Sequence, residues 1–232
     1  MDTWLNPALG ALLLISVQGL MHLHRQRRLA QQARQHSASL QLALELLQNL
    51  QKHRGLGPLN DAPSLRQRNE IAHQLDLLWR RWPGASAALP DLATRWPALR
   101  AQPADFNGHC QLIEQVLAAI QLLELRLGAH HSGPLPGIGE ACRGLEDLGR
   151  LRALSVRAAN HSRCPLELQI QMRYLCQRLA GSSCEQPVQR VIERLDRELI
   201  GAAQIRLAPM DCFALLTPLI DERLQGMQAR LA

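Results

Sequence analysis

Residues 40–54 read LQLALELLQNLQKHR, and the spacing of their apolar side chains decides the fold. At 100° per residue Leu40, Ala43, Leu44, Leu46, Leu47 and Leu50 share one stripe, and Glu45, Gln48, Asn49 and Lys52 lie opposite. That is an amphipathic helix with one buried face. Two polar residues stand within or beside the stripe: Arg54, four residues after Leu50, and Gln51. The helix is expected over residues 29–54, stopped by Gly55-Leu56-Gly57-Pro58. Composition extends the reading to the whole chain. Its 232 residues include 46 Leu but only five Val and seven aromatics. Strands draw on β-branched and aromatic side chains, whereas Leu, Ala, Gln, Arg and Glu favour helices. The fold class is therefore all-α. A hydrophobic share of 47% with 20% charged residues is that of a globular protein, which excludes wholesale disorder.

Further amphipathic helices are expected over residues 63–82, with Ser64 near the start, 104–129, 138–160, 165–181 and 187–207, and from Asp211 to the end. Residues 83–104 carry Pro83, Pro90, Pro97 and Pro103, with Arg-Trp-Pro at 81–83 and again at 95–97. They read as a broken connector with one or two helical turns. Residues 130–137, HHSGPLPG, are a loop, and the His130-His131 pair is read as a solvated feature of it rather than a metal site. Short connections between long helices favour antiparallel neighbours, so the expectation is an up-and-down bundle of about seven helices forming one domain over 29–232.

Residues 4–23, WLNPALGALLLISVQGLMHL, contain no formal charge. Twenty residues at 1.5 Å rise span about 30 Å, the thickness of a bilayer's hydrocarbon core. Asp2 and the lack of a small-x-small site argue against a cleaved signal peptide. The expectation is an N-terminal transmembrane anchor over residues 1–28, with a buried soluble helix as the alternative. Arg25-Gln26-Arg27-Arg28 follows directly. Basic flanks stay cytoplasmic, which places the bulk of the chain on the cytoplasmic side of the inner membrane. Residues 213–220 form a second apolar stretch that is too short to span. The anchor and the first bundle helix would form one continuous rod, suited to transmission or to a homodimer.

The net charge is +6, and all basic residues but Lys52 are arginine. Beyond the N-terminal cluster these arginines interleave with acids, as in residues 193–198, ERLDRE. That is a solvated helix face, and few aromatics are available for stacking, so nucleic acid is an unlikely partner. The six cysteines, Cys110, Cys142, Cys164, Cys176, Cys184 and Cys212, lack Cys-x-x-Cys or nearby His spacing. They read as small buried hydrophobes, with no metal site and no cofactor expected. There is no phosphate loop, Gly-x-Ser-x-Gly or His-Glu-x-x-His motif, so an enzyme is not expected. Gly137-Ile138-Gly139 ahead of a helix offers an anion site at a helix N-terminus, although without a preceding strand it reads as a turn.

The helix over 138–160 repeats the anomaly of the first. Leu145, Leu148, Gly149, Val156 and Ala159 share a face with Ser155 at its margin, and Arg152 sits near the centre of that face. Glu146, Arg143, Arg150 and Arg157 project together onto the opposite side, while Leu151, Leu154 and Ala158 make a second apolar flank. A guanidinium cannot be deprotonated, and an unpaired buried charge costs several kcal/mol. Two readings follow: each arginine snorkels or pairs with an acid such as Glu140 or Asp76, or Arg54 and Arg152 grip a planar oxyanion with their paired N–H donors.

Residues 46–56, LLQNLQKHRGL, resemble the first-helix signature of the nitrate- and nitrite-sensing (NIT) domain, roughly L-x-x-L-Q-x-E-R-G-x-S. Residues 145–154, LEDLGRLRAL, are similar to a later helix of that family, which carries a small residue, an Arg, and then small or apolar residues. The resemblance covers residues 35–230 in helix order. It implies an all-helical sensor in which Arg54 and Arg152, flanked by Gln51 and Ser155, bind nitrate or nitrite. The acid before the family's arginine is His53 here, and the serine after it is Gly57. Family members usually continue into an output domain. This chain ends at Ala232, so signalling through a separate, unidentified protein partner is expected. A ligand-free helical adaptor tethered to the membrane is the alternative.

Overall fold

The computed structural model describes residues 5–129, 137–181 and 186–229, with side chains from residue 17 onward. Among these the secondary structure is entirely helical. The elements are α1 (Leu5–Leu56), α2 (Ala62–Arg81), α3 (Trp96–Ala101), α4 (Phe106–Gly128), α5 (Ile138–Ala158), α6 (Leu166–Gly181), α7 (Gln186–Leu195) and α8 (Pro209–Ala229). The expected connector resolves into 3₁₀ turns at Gly84–Ala87 and Ala93–Arg95 followed by α3. The expected sixth helix stops short of residue 207. Its end is a π-helical turn over Asp196–Ile200, closed by Gly201 N–H on the Asp196 carbonyl at 2.8 Å. Trp4, the His130-His131 loop, Cys184 and residues 230–232 lie outside the described residues.

The first helix runs unbroken for 52 residues, about 78 Å at 1.5 Å per residue. Its two halves differ. The Leu40–Leu50 stripe is buried as projected, each apolar member being fully excluded from solvent. Residues 17–35 are almost all exposed and project from the bundle. No helix among the described residues is long and apolar enough to cross a membrane; side chains 1–16 are not among them.

Local chemistry sets the helix starts. Asp61, rather than Ser64, caps α2: its carboxylate accepts the Ser64 N–H at 3.0 Å and the Ser64 hydroxyl at 2.6 Å. Asp105 caps α4 in the same way through Gly108 N–H at 2.9 Å. The start of α5 is capped from another helix. Glu124 of α4 accepts the backbone N–H groups of Ile138 at 2.7 Å and Gly139 at 2.9 Å.

Two helices carry the bundle. α1 packs on α2, α4 and α5, and α5 packs on α1, α4, α6 and α8. From Leu145 to Ala158 the only residues of α5 that are not buried are Arg150 and Arg157. Close helix contact requires small residues at named points. A Cβ on Gly57 would lie 2.1 Å from the Pro103 carbonyl oxygen, a backbone atom. We expect Gly57→Ala to cost about 1–3 kcal/mol by overpacking. Gly144 in α5 has no atom within 4 Å of such a Cβ, so Gly144→Ala is expected to gain roughly 0.5–1 kcal/mol in helix propensity. Urea unfolding of the two variants checks both signs.

Candidate functional site

The last turn of α1 and the middle of α5 bring four of the expected polar residues into the core. Gln51, Arg54, Arg152 and Ser155 are all buried, with at most 2% exposure. Glu146 joins them at 3% exposure, which corrects its projection onto a polar face. The projection fails because α5 is packed on almost every side and has no wide solvated face at that level.

Arg54 is neutralised inside the protein. Its Nη1 donates to Glu146 Oε1 at 2.6 Å and its Nη2 to Glu146 Oε2 at 3.1 Å, the bidentate geometry that suits a guanidinium and a carboxylate. Gln51 Nε2 donates to the same Oε2 at 2.9 Å, and Arg54 Nη1 also reaches Cys110 Sγ at 3.3 Å. Burial works against the charge of Arg54. Glu146 beside it outweighs that cost and holds the arginine pKa above its ordinary value. Gly149 permits the approach, since a Cβ there would lie 3.0 Å from the Gln51 amide and 3.2 Å from Arg54 Nη2.

Arg152 has no such partner. Its side chain is fully buried, and Nη1 donates to the Thr217 hydroxyl of α8 at 3.0 Å. Thr217 passes its own proton to the Phe213 carbonyl at 2.7 Å. The Phe213 ring lies under the guanidinium, 4.5 Å from Cζ to the ring centre, a cation–π contact. No carboxylate among the described residues bonds to Arg152. Asp221, one turn beyond Thr217, is held instead by Lys52 at 3.1 Å and Gln48 at 2.9 Å. The Nε and Nη2 atoms of Arg152 are buried without a hydrogen-bond partner among the described residues. These two nitrogens form one coplanar edge of the guanidinium, whose parallel N–H bonds match two oxygens of a planar anion. Burial, and then repulsion from Arg54, push the Arg152 pKa down to about 9, while Asp221 and Glu146 pull the other way. The group therefore stays charged at neutral pH. Gly55 admits it against α1: a Cβ there would lie 3.4 Å from Arg152 Nε and 2.9 Å from the Phe213 ring.

Ser155 turns away from this cluster, its hydroxyl on Met172 Sδ of α6 at 3.6 Å. The Gly137-Ile138-Gly139 helix start is already filled by the Glu124 carboxylate. Of the two expected anion places, the helix start holds the Glu124 carboxylate, and in the joint Arg54–Arg152 site Glu146 already occupies the Arg54 fork, so only the Arg152 edge lacks a carboxylate among the described residues.

Behind Arg54 lies a buried pair that the sequence reading missed. His53 Nδ1 and His109 Nε2 are 2.9 Å apart, and His109 Nδ1 meets the Asp105 carbonyl at 2.5 Å. A carbonyl only accepts, so His109 carries its proton on Nδ1 and His53 donates to His109 Nε2. Both rings are neutral. Burial, followed by the neighbouring His109 and by Arg68 and Arg100, lowers the His53 pKa to about 3, and burial also lowers that of His109. The signal for this pair was the spacing of His109 with Leu112, Ile113 and Val116, all on the buried face of α4.

No protein-family model, no curated protein and no solved structure matches the chain.

Arg54→Met is expected to strand the Glu146 carboxylate and cost about 3–5 kcal/mol. Arg152→Met removes an uncompensated charge and is expected to be neutral or stabilising in anion-free buffer. Thermal unfolding of both variants distinguishes the two arginines. The unfolded chain protonates His53 near its ordinary value of 6.5, whereas the folded chain does so only near 3. Stability from this residue is therefore full above pH 6.5 and falls with acid, by up to about 1.4 kcal/mol per pH unit. Urea unfolding at pH 7.5 and 5.5 is expected to show a smaller loss for His53→Phe than for the parent.

Proposed function

We propose that this protein is a receptor for a small planar oxyanion, nitrate or nitrite, and that the anion binds at the buried edge of Arg152. The observation that carries the reading is the pair of nitrogens, Nε and Nη2, that have no partner among the described residues, on a fully buried guanidinium that none of their carboxylates bonds. An anion from solution supplies the missing charge and both missing acceptors. Arg54, Gln51 and Glu146 form the adjoining wall, with Arg54 contributing positive potential and Glu146 fixing its orientation. The carboxylate beside Arg54 comes from α5 instead of from position 53, and Gly57 replaces serine where a side chain would strike Pro103. Both departures from the NIT pattern thus have a physical reason in this chain.

The proposed setting is a single N-terminal transmembrane anchor through residues 4–23 with the up-and-down bundle on the cytoplasmic side. Occupancy would be relayed to a protein partner by a shift in helix packing, which requires the anion to favour one packing state. The closed Arg54–Glu146 pair favours a second reading, a tethered scaffold without a ligand, in which Thr217 and Phe213 are all that Arg152 needs.

Calorimetric titration and thermal unfolding of the full chain in detergent, with nitrate, nitrite and chloride, separate the two. At one hundred times Kd, nitrate is expected to stabilise by about 2.7 kcal/mol. That raises Tm by roughly 5–10 °C for a chain of this size. Arg152→Met is expected to abolish the response. A response that survives in this variant, or equal responses to chloride and nitrate, refutes the site.

A further inference from the structure

The projecting half of α1 carries a second recognition feature. No acidic residue occurs between Asp2 and Glu45. Within that interval Arg25, Arg27, Arg28 and Arg34 are exposed, and none forms an ion pair among the described residues. Elsewhere the arginines interleave with acids, as in the Arg194–Glu198 and Arg100–Asp76 bridges. Just N-terminal to the arginines, Val17, Leu20, Met21 and Leu23 are exposed apolar side chains, at 46–67% of their full area. The rod therefore changes, within about one turn of helix, from an apolar stretch to one whose formal charges are all positive.

The placement around the helix identifies the occupant. At about 100° per residue, Arg25 and Arg28 share one side of the helix, and Arg27 and Arg34 share the opposite side. An amphipathic helix lying in a membrane plane would gather its basic residues on one face. Basic residues on two opposite sides, rather than one, form a collar that fits a helix rising upright through a layer of negative headgroups. Arg25 to Arg28 span about 4.5 Å along the axis, within the thickness of a headgroup layer, and Arg34 lies about 9 Å further along the helix, within reach of the surface charge at low salt. A second copy in parallel would set collar against collar, so charge disfavours self-association here.

We propose that residues 25–34 clamp the protein to an anionic lipid surface, with phosphatidylglycerol-type or cardiolipin-type headgroups as the counter-charge. The inference rests on the membrane reading of residues 4–23 for the upright geometry, and it is independent of any anion at Arg152. The clamp would hold the bundle, which begins near Ser39 and Leu40, about 17 Å above the leaflet.

The same four arginines are trypsin sites, which provides a direct readout. The full chain is reconstituted in vesicles of neutral phosphatidylcholine alone or with 30% phosphatidylglycerol at low salt. Cleavage after residues 25–34 is expected to be at least tenfold slower on the anionic vesicles, a fraction of the roughly fivefold per arginine that headgroup attraction allows. The protection is expected to vanish in 0.5 M salt. In the triple variant Arg25→Gln, Arg27→Gln, Arg28→Gln, cleavage at Arg34 is expected to become equal on both lipids. Equal rates for the parent chain on both vesicles overturn the clamp. Flotation of the same samples separates the two ideas. Association with anionic vesicles alone keeps the clamp and removes the transmembrane anchor, whereas association with both, without differential protection, keeps the anchor and removes the clamp.

Discussion

A guanidinium buried without a carboxylate partner among the described residues is the constraint from which the rest of this structure takes its meaning. Arg152 is excluded from solvent in the middle of the most enclosed helix, and its two nearest protein partners are a hydroxyl and an aromatic ring. Neither removes a full charge. The protein does neutralise its other buried arginine, because Glu146 receives both ends of the Arg54 fork and a further bond from Gln51. It also fills the N-terminus of α5 with Glu124. The contrast matters more than any one contact: internal carboxylates meet a helix start and one buried arginine, and the Arg152 edge has none among the described residues.

The surrounding elements explain how that edge is held in place. Gly55 and Gly149 allow α1 and α5 to approach so closely that a methyl group would collide with the side chains between them. α8 forms the third wall with Phe213, Thr217 and Asp221, spaced four residues apart on one face. Pro218 interrupts the α8 ladder immediately after Thr217. The helix that touches Arg152 therefore lacks a backbone donor next to that contact.

Much of this was legible in the sequence, and the limits have physical causes. The stripe from Leu40 to Leu50 fixed the register of α1, so Arg54 and Gln51 were seen to face inward. The same projection placed Arg152 inside. It misassigned Glu146 because a helical wheel assumes one buried face, whereas α5 is enclosed by four neighbours. The projection placed Ser155 at the margin of the Arg152 face, and from that margin its hydroxyl turns toward α6 and Met172. Thr217 and Phe213 could not be paired with Arg152 at all, since contacts more than sixty residues apart depend on how whole helices cross. The His53–His109 bond is of the same kind, although His109 on an apolar face was a visible cue. The apolar stretch at the N-terminus was plain in the sequence, yet no helix among the described residues is long and apolar enough to cross a membrane.

The most direct test is nitrogen-15 NMR of the arginine Nε–H groups during titration with nitrate, with the Arg152 signal assigned from Arg152→Lys. The account predicts a saturable shift of the Arg152 Nε–H resonance, with the surface arginines unmoved and chloride far weaker. An Arg152 resonance that stays fixed at saturating nitrate, or moves equally with chloride, would contradict it.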